Sequence, residues 1–255
     1  MQVIIPMTGL GSRFKAAGYK DLKPFINVCG KPMIEWIVSM YPKETQFYFI
    51  IRTEIRENPK YAQIIGKLAK NYKVYECPDD VWEKKGPVYD VLKFPYENSP
   101  IIINYCDFFC LWNAEDFEKK ALSLKVDGAI PCYTGFHPHL IPIKNVYASC
   151  KTNGYLLEEI REKYSFEEDK TKAHHSPGIY WFKNVDTMRE YCSRLVDHKT
   201  MLNGEYYASL VYNEMVNDNK RVWVPDNVPY FCQWGTPEDL KEFEMWMSIL
   251  NGGKK

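Results

Sequence analysis

The chain alternates between short apolar runs and longer stretches of helical period. The runs are rich in β-branched and aromatic residues, which predicts strands at residues 2 to 7, 46 to 52, 73 to 77, 100 to 106, 127 to 133 and 177 to 182. The stretches between and after them predict helices at residues 31 to 41, 58 to 72, 86 to 93, 114 to 124, 184 to 198 and 205 to 219. This alternation is typical of an α/β fold, in which a mixed, mainly parallel, Rossmann-like sheet is covered by helices.

Two segments depart from the alternation. Asn153-Gly154 lies between extended residues, which predicts a tight turn and therefore an antiparallel hairpin inserted into the fold. Near the end, Thr236 supplies a capping hydroxyl and Pro237 suits a first helical position, which predicts a helix running to about residue 250. We find no internal repeat and no linker, so we expect a single domain over residues 1–255.

Composition and charge narrow the class of protein. The 33 basic and 33 acidic residues give a formal net charge of zero, so no overall field favours nucleic acid or an anionic membrane surface, and we expect neither as a partner. The first residues do not resemble a secretory leader, and no apolar stretch has the length of a membrane span, so we expect a cytoplasmic protein. The eight cysteines show no paired CxxC spacing, which favours free thiols.

The loop after the first strand carries the first candidate chemistry. Its residues Thr8-Gly-Leu-Gly-Ser-Arg13 place backbone N–H groups beside a hydroxyl and a guanidinium, a combination that suits phosphate. A dinucleotide fingerprint needs a third glycine where Phe14 stands, and its ribose-binding acid is Arg52 here. A Walker loop is also absent from the sequence. The loop therefore stays a candidate for a phosphate site of another kind. The alternative is an ordinary turn that binds no ligand.

The next segments extend the pattern. Lys23-Pro24 follows the loop, and Gly30-Lys-Pro-Met-Ile34 follows in turn. Together with the loop they resemble the sugar-phosphate nucleotidyltransferase family, which opens with G-x-G-[ST]-R, K-P and a g-K-P-[ML]-[IL] helix start. Four later stretches match the family in order, namely residues 101–107, 162–163, 176–180 and 233–237. The resemblance thus covers nearly the whole chain and implies the nucleotide-diphospho-sugar transferase fold.

The resemblance implies a reaction and its residues. An NTP donates its nucleoside monophosphate to a small phosphorylated acceptor, and pyrophosphate leaves. The family pattern gives catalytic roles to Arg13, Lys23 and Lys163, with Arg13 near the leaving pyrophosphate, Lys23 near the α-phosphate and Lys163 on the acceptor phosphate. It implies nucleotide binding in residues 1–130, by Thr8, Gly9, Leu10, Gly11, Ser12, Arg13, Lys23, Gly86 and Pro87. It implies acceptor binding in residues 131–255, by Lys163, Gly178, Tyr180 and Gln233.

The resemblance also implies Mg²⁺ as the cofactor, held by Asp107 at the end of the fourth predicted strand. The second metal-binding aspartate of the family aligns with Gln233, and a neutral amide is a poor ligand for Mg²⁺. Either Asp226 takes over, or the metal relies on Asp107, triphosphate oxygens and water. We expect the second arrangement.

Several questions stay open at the level of sequence. The closer resemblance is to cytidylyltransferases of capsule modification, which implies CTP and L-glutamine phosphate as substrates; sugar 1-phosphates and phosphocholine are the alternative acceptors. Pro87 and Tyr89 replace the small residues expected of a base-binding helix start, so the base is open. A nucleotide-binding regulator without turnover is a second class, which Gln233 supports, and an adaptor protein is a third. A homo-oligomer is possible on the family pattern alone.

Aromatic residues and histidines give weaker indications. Five aromatic residues are candidates for an acceptor pocket, although periodicity predicts that most of them pack in the core: Tyr180, Trp181, Tyr206, Tyr207 and Trp234. The pair His174-His175 precedes the acceptor strand and is a candidate for an anionic substituent. Neither this pair nor His137 and His139 has a third ligand at zinc spacing, so we do not expect a zinc site.

Overall fold

The structure is a computed structural model that describes residues 1–78, 85–141 and 147–250. In chain order, its strands are β1 (Gln2–Pro6), β2 (Asn27–Val28), β3 (Lys31–Pro32), β4 (Gln46–Arg52), β5 (Asn71–Cys77), β6 (Ile101–Asn104), β7 (Phe108–Leu111), β8 (Gly128–Ala129), β9 (Ser149–Asn153), β10 (Leu156–Arg161), β11 (His174–His175), β12 (Ile179–Phe182), β13 (Val222–Trp223) and β14 (Tyr230–Gln233).

The helices of the described residues follow the same order. They are α1 (Ser12–Ala16), α2 (Met33–Ser39), α3 (Thr53–Glu57), α4 (Pro59–Leu68), α5 (Pro87–Val91), α6 (Ala114–Ser123), α7 (Val185–Asp197), α8 (Val211–Asn217) and α9 (Pro237–Leu250). Short 3-10 helices lie at Lys23–Phe25, Pro138–Leu140, Lys170–Lys172 and Ala208–Leu210. None of the helices in these parts of the chain has the length and apolar character needed to cross a membrane.

Ten strands form one mixed sheet in the order β11-β9-β10-β13-β8-β12-β6-β1-β4-β5. β1 pairs in parallel with β4 and β6, and β4 pairs in parallel with β5. On the other side β12 runs antiparallel to β6, and β9 and β10 form an antiparallel hairpin. The predicted α/β fold, with a mixed sheet, covering helices and an inserted hairpin, is therefore confirmed.

Both faces of the sheet are buried at its centre, which explains why β1, β4, β6 and β12 read as nearly continuous apolar runs. Successive side chains of a strand point to opposite faces. Val3 and Ile5 accordingly pack in one core with residues of α2, α4 and α6, whereas Ile4 packs in a second core with residues of α5, α7 and α8. A third, smaller cluster includes Phe14 and Trp234 and links α1 to β14 and α9.

Most predicted bounds differ from those of the structure by a few residues, and three of the differences have an identifiable structural form. The strand predicted at residues 127 to 133 is reduced to β8, and Pro131, which has no N–H to donate to a ladder, follows shortly after it. The helix predicted from residue 31 begins at Met33, because Lys31 and Pro32 pair with β2. The helix predicted at residues 205 to 219 is a 3-10 turn followed by α8.

The small sheet of β7 and β14 was not predicted, and it matters for the site. β14 pairs antiparallel with β7, with Gln233 opposite Phe108. The ladder continues into the adjoining residues, since the Trp234 N–H donates to the Asp107 carbonyl at 2.8 Å. This pairing brings Asp107 beside the Gly235-Thr236 turn that opens α9, although the two segments are far apart in the chain.

Candidate active site

A cleft of about 480 Å³ opens where β1 and β6 end. Ligands of open α/β sheets gather at the carboxyl ends of the strands, because the loops that follow adjacent strands meet there. Most of the predicted site residues line this cleft: Thr8, Gly9, Leu10, Gly11, Ser12, Arg13, Lys23, Gly86, Pro87, Asp107, Lys163, Gly178 and Tyr180.

The loop after β1 is shaped by close contacts. Gly11 has a φ of 59°, and a Cβ there would lie 3.2 Å from the Lys23 Cβ, so a glycine fits this position best. The Thr8 hydroxyl donates to the carboxylate of Asp90, a buried residue of α5. Ser12 and Arg13 open α1, where the first N–H groups have no acceptor within the helix. The loop thus offers phosphate-binding donors on a fixed backbone.

An ion pair occupies the middle of the cleft. The Lys23 Nζ donates to the Asp107 Oδ2 at 2.7 Å and to the Gly235 carbonyl at 3.2 Å. The neighbouring Cys106 also lines the cleft, but burial raises the pKa of its thiol to about 12, and Asp107 adds to the shift. The thiol therefore stays protonated near neutral pH and is a poor nucleophile.

The segment that begins α5 lines the cleft and is joined to Tyr206 by two backbone hydrogen bonds. Tyr206 donates its N–H to the Lys85 carbonyl at 2.7 Å, and Val88 donates to the Tyr206 carbonyl at 3.3 Å. Gly86 lies between these bonds with a φ of 94°, and a Cβ there would come within 2.9 Å of the Tyr206 nitrogen. Only a glycine fits this contact without displacing the backbone.

Another part of the cleft lining combines one lysine with acids and phenols. Lys163 follows β10, and its Nζ lies 5.7 Å from the centre of the Tyr207 ring. Glu162 accepts a hydrogen bond from the Ser209 hydroxyl. Burial raises the pKa of Glu162, while Ser209 and Lys163 act in the opposite direction. Glu205 also faces the cleft.

Gln233, which the resemblance assigns to the acceptor site, and Asp226, the alternative metal ligand, are not among the residues that line the cleft. Gln233 is buried, and its Nε2 donates to the Asp239 Oδ1 at 2.5 Å. Asp226 is exposed, and its Oδ2 accepts from the Thr134 hydroxyl at 2.6 Å. Both residues belong to the paired backbone of the fold: Gln233 is the last residue of β14, and Asp226 pairs with Cys132 in an isolated β-bridge.

A divalent cation fits beside Asp107 only with help from a ligand. The Asp107 carboxylate and the Gly235 carbonyl are hard oxygen donors of the kind that Mg²⁺ prefers. A Cβ on Gly235 would lie 3.5 Å from the Tyr147 hydroxyl and 3.7 Å from the Asp107 Oδ2, so the glycine leaves room there. Within the described residues, no group of three or more His, Cys, Asp or Glu side chains is arranged to hold a metal. A cation bound beside Asp107 would therefore need its remaining ligands from substrate and water.

The candidate aromatic residues and histidines divide between cleft and core. Tyr180 and Tyr207 line the cleft, although Tyr180 is also part of a buried cluster, whereas Trp181, Tyr206 and Trp234 lie in the packing clusters and do not line it. His175 is also buried, and its Nε2 is bonded to the Lys170 carbonyl, so it does not face the cleft.

Sequence reasoning missed several lining residues, among them Phe14, Tyr105, Tyr147 and Glu205. The burial of the Asp90 carboxylate is visible only in three dimensions. Glu162 had a usable signal, because it directly precedes Lys163 in the matched pair.

Comparisons with known proteins extend this description. No protein-family model matches the chain, and no curated protein matches it either. Solved structures do match along almost the whole length. A nucleoside-diphosphate-sugar pyrophosphorylase from Vibrio cholerae RC9 is 19% identical with a TM-score of 0.73, covering 95% of this chain and 99% of its own. A UDP-glucose pyrophosphorylase in complex with UDP-glucose is 12% identical with a TM-score of 0.71, covering 98% of each chain.

An inositol-1-phosphate CTP transferase from T. maritima is 14% identical with a TM-score of 0.70, covering 100% of this chain and 98% of its own. The chain has the fold of these enzymes. At such identities the likeness establishes the fold, so the reaction has to be argued from the cleft itself.

Proposed function

We propose that this protein is a nucleotidyltransferase that moves a nucleoside monophosphate from an NTP to a small phosphorylated acceptor. The leading substrates are CTP and L-glutamine phosphate, which would give CDP-L-glutamine for capsular polysaccharide modification, in the cytoplasm. One observation carries the proposal: a single cleft holds the loop from Thr8 to Arg13, the Lys23–Asp107 pair and Lys163. These are the phosphate-binding and metal-binding groups that such a transfer requires.

The reaction is an in-line displacement. An oxygen of the acceptor phosphate forms a bond to the α-phosphorus of the NTP, the bond from that phosphorus to the bridging oxygen breaks, and the electron pair leaves with pyrophosphate. All three groups are anionic, so the barrier depends chiefly on charge and position, and no protein nucleophile is needed.

Each cation of the cleft then has a task. Arg13 holds the β- and γ-phosphates that leave, Lys23 compensates charge at the α-phosphate, and Lys163 orients the attacking acceptor phosphate. Asp107 would hold Mg²⁺ together with triphosphate oxygens. The metal, when bound, neutralises phosphate charge and aligns the attacking and leaving oxygens.

The acceptor end favours an acceptor that carries a cationic nitrogen as well as a phosphate. Lys163 supplies one positive charge there, and two carboxyl groups line the same cleft, that of Glu162 beside Lys163 and that of Glu205, whose Cβ also borders Gly86. A purely anionic acceptor would meet these carboxylates without compensation, while an ammonium group can pair with them. The α-ammonium of L-glutamine phosphate meets this requirement. Phosphocholine, whose cation also suits the tyrosine rings, is the alternative, and a sugar 1-phosphate is the next.

The choice of cytosine as the base of the donor NTP is supported only by the fold. One structure of the same fold is that of a CTP transferase and two are those of UDP-glucose pyrophosphorylases, so CTP is the leading donor and UTP its main competitor. The Pro87 side of the cleft, at the start of α5, is where we expect the base to be read.

The test is pyrophosphate release with Mg²⁺, with each of the four NTPs assayed against L-glutamine phosphate, phosphocholine and several sugar 1-phosphates. We expect release with CTP and L-glutamine phosphate. Release with a sugar 1-phosphate alone would keep the reaction and replace the acceptor. NTP binding without release from any pair would favour a regulator, the second candidate function, for which the loss of an aspartate at Gln233 is the specific support.

A further inference from the structure

The ion pair of the cleft leaves no open place for a metal in the substrate-free protein. One ammonium, on Lys23, contacts both oxygen donors that a cation would use, the Asp107 Oδ2 at 2.7 Å and the Gly235 carbonyl at 3.2 Å. A divalent cation at this position would have to displace an ammonium that already compensates the carboxylate, and it would be repelled by that charge.

Asp239 carries the second carboxylate near this position, but it does not supply a free metal ligand. The Asp239 Oδ2 lies 3.5 Å from the position of a Cβ on Gly235, close to the Asp107 side of the turn. However, this oxygen accepts from the Thr236 N–H at 2.9 Å, and the Asp239 Oδ1 accepts from Gln233. Asp239 therefore serves the N-terminus of α9 in a capping arrangement, and Gln233 adds no charge of its own.

Lys23 is well placed to leave this position when a triphosphate arrives. Its backbone is fixed at the start of a 3-10 helix, and its Cβ packs close to Gly11. Its side chain is a flexible stem that ends in a mobile point charge, so the ammonium can move while the backbone stays. The loop from Thr8 to Arg13, where the phosphates are expected, lines the same cleft.

We infer that the Lys23 ammonium occupies the metal position beside Asp107 in the free protein, a role called here a stand-in for the metal. The free protein therefore excludes divalent cations and accepts them only as part of a metal–nucleotide complex. The polyanionic triphosphate draws the Lys23 ammonium away from Asp107 and brings its own cation to the carboxylate. Lys23 thereby links metal binding to nucleotide binding. This inference rests on the proposed function for the use of a metal, and it goes beyond it in naming the form of the donor substrate.

The test measures Mn²⁺ binding to the nucleotide-free protein by the loss of the free-ion signal in electron paramagnetic resonance. Wild type should bind Mn²⁺ weakly, and Lys23→Met, which keeps the apolar stem, should bind it at least about tenfold more tightly, because a cation beside the carboxylate has been removed. Lys163→Met is the matched control, since it removes another cleft lysine that is not paired with Asp107, and it should leave Mn²⁺ binding unchanged. Adding Asp107→Asn to Lys23→Met should abolish the gain.

A second measurement adds a non-hydrolysable CTP analogue to wild type. Mn²⁺ affinity should rise by at least about tenfold, since the triphosphate supplies ligands and competes for Lys23. Tight Mn²⁺ binding by the free wild-type protein, no gain in Lys23→Met, or an equal gain in Lys163→Met would overturn the inference. Lys23→Gln and a thermal melt of each variant guard against a folding defect.

These outcomes separate the inference from the function on which it rests. If Lys23→Met gains Mn²⁺ affinity through Asp107 while wild type releases pyrophosphate with no substrate pair, the proposed function fails and the stand-in role is retained. If wild type turns over while Lys23→Met gains no Mn²⁺ affinity, the enzyme is retained and the stand-in role is wrong.

Discussion

At the scale of single residues, the backbone of Lys163 is unusual. Its φ is 55°, in the left-handed region that costs a residue with a Cβ roughly 1–2 kcal/mol. The Lys163 N–H donates to the Tyr147 carbonyl at 3.0 Å, which helps to hold this conformation. Lys163 lines the cleft, so its strained backbone coincides with a predicted functional side chain.

Replacing Lys163 with glycine should therefore separate stability from function. We expect Lys163→Gly to leave the free energy of unfolding unchanged or up to about 1 kcal/mol higher, because glycine adopts a positive φ without strain. The KM for the acceptor should rise at least about tenfold, since a charge-assisted phosphate contact is lost, while the KM for the NTP changes little. Urea unfolding and steady-state pyrophosphate release measure the two effects.

Lys125→Gly is the matched control, because Lys125 also has a positive φ, 52°, and lies after α6, away from the cleft. It should show the same change in stability with no change in either KM. A fall in stability of Lys163→Gly alone, with unchanged kinetics, would assign Lys163 a structural role.

Asp107 provides a second test at this scale. Asp107→Asn keeps the size of the side chain and removes a charge from a partly exposed ion pair, which is worth at most about 1 kcal/mol of stability. The same change should lower pyrophosphate release by at least about a hundredfold, because the charged metal ligand is lost. Asp197→Asn, at the exposed end of α7, is the control and should change neither quantity. Equal release by wild type and the Asp107→Asn variant would remove Asp107 from the mechanism.

At the scale of elements, the start of α5 lines the cleft and is held against the backbone of Tyr206. Gly86→Ala should disturb it strongly, since its Cβ would lie 2.9 Å from the Tyr206 nitrogen and its φ of 94° is already unfavourable for alanine. We expect a loss of roughly 2–4 kcal/mol in stability, and NTP binding weaker than in wild type under conditions where the variant is still folded. Thermal melts and nucleotide titration by calorimetry measure both effects.

Gly135→Ala controls for backbone strain alone. Gly135 has a φ of 82°, and a Cβ there would meet no atom within 4 Å. Its loss of stability should be the smaller of the two, and NTP binding should not change. Equal losses in the two variants would show that the contact with Tyr206 carries no extra energy.

Long, regular elements are predictable from the sequence, whereas short strands paired with distant segments are not. β1, β4 and α7 follow closely from their apolar patterns, because long elements with a regular period are set by local residue choice and burial. β7 and β14 do not follow, since each is short and is stabilised by a partner distant in the chain. The loop and the lysines of the cleft were found because they match a spaced motif.

Gln233 shows the limit of motif matching. The motif assigns Gln233 to the acceptor site, and in the structure its side chain is buried and directed to Asp239. A sequence position fixes the place of a backbone in a fold, but the direction of a side chain depends on the hydrogen bonds that its chemistry permits. An amide can donate to Asp239, whereas an aspartate at this position would meet it with like charge.

At the scale of the whole molecule, a buried group of histidines links stability to pH. The rings of His137, His139 and His175 lie 4.7, 5.4 and 5.5 Å from the ring of Tyr133, and the Tyr133 hydroxyl is bonded to the His139 Nε2 at 2.8 Å. Burial lowers the pKa of all three, that of His139 to about 3, and the mutual repulsion of the rings lowers it further for His139 and His175. The folded protein therefore keeps these rings neutral at pH values where the unfolded chain binds protons.

The sign of the effect follows from these depressed pKa values. The stabilisation is fully present above about pH 6.5 and is lost as the pH falls from there towards the folded pKa values, with up to about 1.4 kcal/mol per pH unit for each histidine. Glu162 and Asp239, whose pKa values are raised by burial, oppose this loss over part of the range. A variant that removes a single histidine isolates its contribution from theirs.

We therefore predict that His139→Gln shows a smaller loss of stability than wild type between pH 7 and pH 5, by roughly 1–2 kcal/mol, because glutamine cannot take up the proton that unfolds the native site. Urea unfolding at several pH values measures the difference. His198→Gln is the control, since His198 is exposed beside Glu214, at 3.1 Å, outside the buried group, and its dependence on pH should stay closer to that of wild type. If His139→Gln and wild type lose stability in parallel, protonation of this buried ring does not govern the response to acid, and the opposing carboxylates become the groups to replace next.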